Sequence, residues 1–198
     1  MSDDRPSQPL RDRILDAALM QFATRGYDAT SVREIVAAVG CTKPALYYHF
    51  GSKEDLFLEL VRSRIDGLHE LLRGCLSEDA PVEQQLRAVT SRILDGVRQS
   101  PLSMRLLITA EHRPDDGQPE VDLRSMHEAF LHHVRSVVEL AQGAGIFRTD
   151  LPADSLAWSY IGAVHVRALG IALGHDVPAN AADVVVDIFC RGARAPEA

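Results

Sequence analysis

Between positions 42 and 53 the chain places Thr42, Lys43, Pro44, Ala45, Tyr47, Tyr48, His49 and Lys53 within one short stretch. Tyrosine hydroxyls and an imidazole can donate hydrogen bonds to phosphate oxygens, and their rings can pack on sugars. The small residues near the start of the stretch would let a backbone approach base edges. Lys53 adds a charge at a helix start, where free N–H groups also attract phosphate. The chemistry offered is binding to a nucleic acid rather than bond making.

Other reactive groups form weaker patterns. His127, His132 and His133 share one segment, and Glu128 with His132 is an i, i+4 pair that could hold a cation. No cysteine joins them and no ligand set is complete, so a solvated face is expected and no metal. Asp115, Asp116 and Glu120 suggest a magnesium cluster, but Pro114, Gly117 and Pro119 make their segment a loop. Gly-x-Ser-x-Gly, His-Glu-x-x-His and a phosphate-cradling glycine loop are all missing, so neither an enzyme nor a cofactor is expected. Cys41, Cys75 and Cys190 are far apart and odd in number, which fits reduced thiols in a cytoplasm. Cys41 could sense oxidants, although no resolving partner stands near it in sequence.

The elements that must position these groups are helices. Strand signals are almost absent. A mobile arm is expected over 1–9, then a helix from about Leu10 with Ile14, Leu15, Ala18, Leu19 and Phe22 on one face, ended by Gly26. Ser31 and Glu34 form a capping box at the start of a short second helix, whose apolar face is Val32, Ile35, Val36 and Val39. Gly40 supplies the turn. Thr42 caps a third short helix with Pro44 in its first turn, and Leu46 with Phe50 anchors it. Ser52 and Asp55 open a fourth helix running to about Cys75. Five more are expected near 81–99, 101–112, 119–143, 153–174 and 178–193, each with a proline near its start. The fold class expected is all-α, about nine helices, with a helix-turn-helix head at 10–52 and a body at 53–198, joined by helix four.

The net charge of −7 argues against nucleic acid until its distribution is read. The only two lysines are Lys43 and Lys53. From Arg11 to Lys53 six basic residues face four acidic ones, +2, which leaves −9 on the rest. A locally basic head on an acidic body suits a protein that binds one DNA site without coating all DNA. The longest apolar runs, such as Ile161–Val164 and Val184–Val186, fall short of the roughly 20 residues of a membrane span, and the first residues lack an apolar signal core. A cytoplasmic protein without a membrane partner is expected.

Tyr27, Thr30, Ser31, Val32, Ile35, Ala37 and Gly40, followed by the run from Lys43 to Phe57, resemble the DNA-binding domain of the tetracycline-repressor (TetR) family. The resemblance covers about Leu10 to Leu60 and is densest over Leu46-Tyr-Tyr-His-Phe50 with Lys53 after it. It implies that Arg33, Lys43, Pro44 and Ala45 face base edges, with Thr42 capping beside them. Thr30, Ser31, Tyr47, Tyr48, His49 and Lys53 would hold phosphates. Cys41-Thr42 departs from the family, which more often has an aliphatic residue and Ser there; Thr42 keeps the capping hydroxyl.

After about residue 60 the resemblance fades and pattern takes over. The last two helices are apolar and rich in small residues: Trp158, Ile161, Gly162, Val164, Ala168, Leu169 and Ala172, then Val184, Val185, Ile188 and Phe189. Two such helices from each subunit would make a four-helix homodimer interface. An effector pocket is expected among helices four to eight, lined by Leu102, Met104, Leu107, Met126, Phe130, Val134, Trp158, Ile161 and His165, for a small uncharged or amphipathic organic molecule. The function expected is a repressor released from a near-palindromic operator by that effector, with a ligand-responsive activator as the alternative.

Overall fold

A computed structural model describes residues 8–73, 80–112 and 117–195, together with their side chains except those of residues 72, 73, 112, 125 and 126. Among the described residues there are nine helices and no strand. They are α1 (Leu10–Arg25), α2 (Val32–Val39), α3 (Lys43–Phe50), α4 (Lys53–Arg73), α5 (Val82–Gln99), α6 (Pro101–His112), α7 (Arg124–Gly143), α8 (Ala153–Leu173) and α9 (Ala181–Ala193). The chain divides into two compact units, Met1–Arg64 with Arg105–Val121, and Ile65–Met104 with Asp122–Ala198. The division falls inside α4 and α6.

The first unit folds because short amphipathic helices close on one core. Ile14, Ala18 and Phe22 of α1 are completely buried, as are Ile35 of α2, Leu46 of α3 and Leu56 and Phe57 of α4. Phe22, Tyr27 and Phe57 form an aromatic triangle with centroids 5.1–5.7 Å apart. Arg13 donates to the Val39 carbonyl at 2.5 Å, which ties α1 to the C-terminus of α2. Neither aromatic triangle nor arginine tie follows from helical spacing, because both join residues far apart in the chain.

In the second unit α5, α7, α8 and α9 pack on one another. Its core holds Val134, Val138, Ala157, Tyr160, Val164 and Val186. Tyr160 carries a hydroxyl into this core and satisfies it there: it donates to the Leu86 carbonyl at 2.8 Å and lies 2.5 Å from Thr90 Oγ1. A buried hydroxyl without such partners would cost about 1–3 kcal/mol.

Two boundaries differ from those expected. Helix α7 starts at Arg124 rather than near 119; Asp122 accepts from the Arg124 N–H at 3.0 Å and marks the start. Helix α9 starts at Ala181 rather than 178, because Pro178 forms a turn in which its carbonyl accepts from Ala181 N. Residues 74–79, where α4 was expected to end, lie outside those described. Helix α8 also reaches a mean hydropathy of 1.4 over 18 residues, so by length and composition it could cross a membrane. One face of it is instead the core just described.

Candidate nucleic-acid interface

The first unit presents a helix, a tight turn and a second helix in the order that lets the second enter a major groove. Each end is fixed by local chemistry. At the start of α2, Ser31 Oγ accepts from the Glu34 N–H at 3.2 Å, while Glu34 Oε2 accepts from the Ser31 N–H at 3.0 Å. These bonds hold the Glu34 carboxyl below its ordinary range, the Ser31 contacts acting most strongly and Arg25 adding to them. Gly40 then turns the chain in the left-handed conformation, φ 73° and ψ 34°, which a residue with a Cβ adopts only under strain. Thr42 caps α3 through Ala45 N at 3.4 Å, and Pro44 occupies its first turn.

Leu46 and Phe50 bury one side of α3, and the other side stands clear. Thr42, Lys43, Pro44, Tyr47 and Tyr48 are exposed, Tyr48 by 87%, while Ala45 and His49 are half-buried. Tyr48 and His49 meet edge to face at 5.4 Å. Arg33 is exposed on α2, and Cys41 is half-exposed in the turn. Lys53 opens α4 with its ammonium 4.0 Å from the centre of the Tyr27 ring. Burial there lowers its pKa, with Asp28 opposing the shift.

Thr30 needs a correction. It is 1% exposed, and its hydroxyl donates to the Gly26 carbonyl at 2.8 Å. A side chain committed to closing the α1–α2 turn cannot hold a phosphate. Ser31 is exposed, but its hydroxyl donates to Glu34 at 2.8 Å as well as capping α2. Tyr27 is the residue that sequence reasoning left without a role. The ring beneath Lys53 lies 26 positions before it, and no spacing rule links the two.

The residues expected to line an effector pocket fall in both units. Val134 is completely buried, and Met104, Phe130 and Ile161 pack half-buried around the second unit's core. Leu102 is half-buried in that unit, whereas Leu107 belongs to the first. The side chain of Met126 lies outside those described. Trp158, 56% exposed, and His165 are a correction: both lie on the outward face of α8, since the inward face is taken by Leu156, Ala157, Tyr160 and Val164.

Among the described residues no three His, Cys, Asp or Glu side chains converge. Glu128 pairs with Arg124 at 2.6 Å instead of reaching a histidine. His127 and His132 are exposed, and burial lowers the pKa of His133. Cys190 is buried in the second unit, which pushes its thiol up to about 11 and leaves it unreactive. Cys75 and Asp115–Asp116 lie outside the described residues.

This head is a helix-turn-helix of the kind that reads DNA. Residues 14–60 match the family described as bacterial regulatory proteins, tetR family. The HTH-type transcriptional activator FasR of Mycolicibacterium smegmatis is 32% identical over 87% of this chain and 76% of its own length. The HTH-type transcriptional repressor AcnR of Corynebacterium efficiens is 34% identical over 74% of this chain and 73% of its own. A TetR-like transcriptional regulator from Rhodococcus sp. RHA1 shares the fold, with a TM-score of 0.77, 24% identity, and coverage of 95% of this chain and 98% of that one. The chain belongs to the TetR family. It is a helix-turn-helix transcriptional regulator that acts by binding DNA, not an enzyme.

Proposed function

We propose that this regulator is a homodimeric cytoplasmic repressor, released from a near-palindromic operator when a small organic effector binds its second unit. The observation that carries the DNA-binding half is α3: a helix anchored by Leu46 and Phe50 whose remaining side chains are free donors and rings. Lys43, Pro44, Ala45 and Arg33 approach base edges, and Tyr47, Tyr48, His49 and Lys53 hold phosphates. Thr42 and Ser31 work chiefly as caps that aim the starts of α3 and α2.

Dimerisation is supported by the outward face of α8 and α9. Trp158, Val166 and Leu173 recur at helical spacing along α8, and Val184 and Ile188 are one turn apart on α9. Five large apolar residues exposed on two adjoining helices are more than a lone protomer ordinarily leaves in water. Joining two heads sets their α3 helices in successive major grooves, about 34–36 Å apart. An effector that favours a body conformation with another spacing lowers operator affinity by the coupling energy, typically about 1–3 kcal/mol.

Repression requires only that the bound protein occupy the promoter, whereas activation needs a further contact with polymerase. The AcnR relative is named a repressor, and FasR, an activator, supports the second reading. Fluorescence anisotropy against the DNA flanking the protein's own gene, followed by run-off transcription from it, separates them. The expected result is tight, salt-sensitive binding to that DNA over unrelated duplex, with transcript falling as protein is added. A rising transcript would establish the activator. Equal binding to both duplexes, repeated after selection from random sequence, would end the reading of a specific regulator.

A further inference from the structure

The turn that follows α1 carries an aromatic ring to the lysine that opens α4. Gly26 ends α1 at φ 85°, donating its N–H to the Phe22 carbonyl at 3.0 Å, and the Tyr27 carbonyl then accepts from the Thr30 N–H at 3.2 Å. These bonds tie the backbone of Tyr27 on both sides. Its ring is gripped as well. Phe22 stacks on it at 5.7 Å, Phe57 meets it at a steep angle at 5.1 Å, and both phenylalanines are completely buried. A ring held in this way is a fixed platform. The Lys53 ammonium lies 4.0 Å from its centre, close enough for the electron-rich face to attract the charge. Arg11 and Arg25 of the same unit are each committed to a carboxylate, Glu59 and Glu34. Lys53 rests on a ring instead, which steadies the ammonium without cancelling its charge.

We propose that Tyr27 is a positioning residue for DNA binding, its ring face holding the Lys53 ammonium charged and in place for a phosphate. This rests on Lys53 holding a phosphate, as proposed above. A free lysine side chain samples many rotamers, and fixing them when DNA arrives weakens binding. On the ring that ordering precedes DNA, so a larger share of molecules is ready to bind. An ammonium has three donors, and a ring face takes only one side of it, so N–H groups remain for phosphate oxygens. A carboxylate in the ring's place would compete with the phosphate for the same charge.

The test grades the ring face while keeping the ring's shape. Full-length proteins carry Tyr27→Phe, or mono-, di- or trifluorinated phenylalanine introduced at the same position by nonsense suppression, each with Lys53 and with Lys53→Gln. Fluorine draws electrons from the ring face and so weakens its hold on a cation. Affinity for a mixed-sequence duplex is read by fluorescence anisotropy at low salt, where phosphate contacts dominate. Tyr27→Phe keeps the face and is expected to bind as wild type does. Affinity should then fall with each added fluorine, to a loss of roughly two- to fivefold, the range of an exposed cation–π contact. The same series in the Lys53→Gln background should be flat. Should the trifluorinated protein not fold, the mono- and difluorinated steps decide. A series that is flat with Lys53 present, or that tightens binding, would overturn the positioning role and leave the phosphate role standing. A fall that persists in Lys53→Gln would show that the ring only supports the fold, and would overturn it too. If Lys53→Gln itself leaves affinity unchanged, the phosphate role and the positioning role fall together.

Discussion

Lys43 and Lys53, the chain's two lysines, stand at the starts of successive helices, and the proposed function gives them different work. Lys43 is exposed at the tip of α3, where a side chain can reach a base edge. Lys53 is half-buried over Tyr27, on the flank, where phosphates pass. Lys43→Ala should therefore relax discrimination between operator and unrelated DNA. Lys53→Ala should weaken binding to every sequence and reduce the slope of log affinity against log salt by about 1. Anisotropy titrations across a salt series separate the two outcomes, and identical behaviour of the variants would remove the distinction.

At the scale of elements, the head depends on caps more than on helix length. Helices α2 and α3 have eight residues each, too short to persist in water on propensity alone. Ser31→Ala removes one half of the α2 box and is expected to cost about 1 kcal/mol of stability, seen as a lower melting temperature. The Glu34 half adds a pH dependence whose sign is fixed. Its folded pKa lies below the ordinary 4.5, so its contribution is complete above that pH and is lost as pH falls through the folded value. Glu34→Gln should flatten this acid limb, measured as melting temperature against pH. An unchanged acid limb would show that the box contributes nothing in solution.

For the whole molecule, the decisive surface is the outward face of α8 and α9. Ile188 is 64% exposed, so replacing it should scarcely disturb its own protomer. Ile188→Arg is expected to halve the mass seen by light scattering and to weaken binding to a two-half-site operator far more than to a single half-site. A variant that stays dimeric with unchanged affinity would move the interface elsewhere.

Much of this was legible in the sequence because the signals are local. Ser31 with Glu34, Gly40, Thr42 with Pro44, and the pair Leu46 and Phe50 all act within one or two helical turns, so spacing alone revealed the all-α class and the face of α3 left exposed. Helix α8 was opaque for the opposite reason. Large apolar residues stand on both its faces, so apolarity by itself does not separate inward Val164 and Ala168 from outward Trp158 and Val166. Only packing against α5, α7 and α9 decides which residues are core, and it moved Trp158 and His165 out of the expected pocket. Thr30 turned inward for a similar reason, because the Gly26 carbonyl that claims its hydroxyl is presented by a turn rather than by a pattern. The sequence by itself determined the helices, their caps and the chemistry of the recognition surface, since these follow from short-range geometry. Tertiary structure alone decided that Tyr27 lies beneath Lys53 and that Tyr160 finds its partners on α5, because residues distant in the chain meet only once the core has closed.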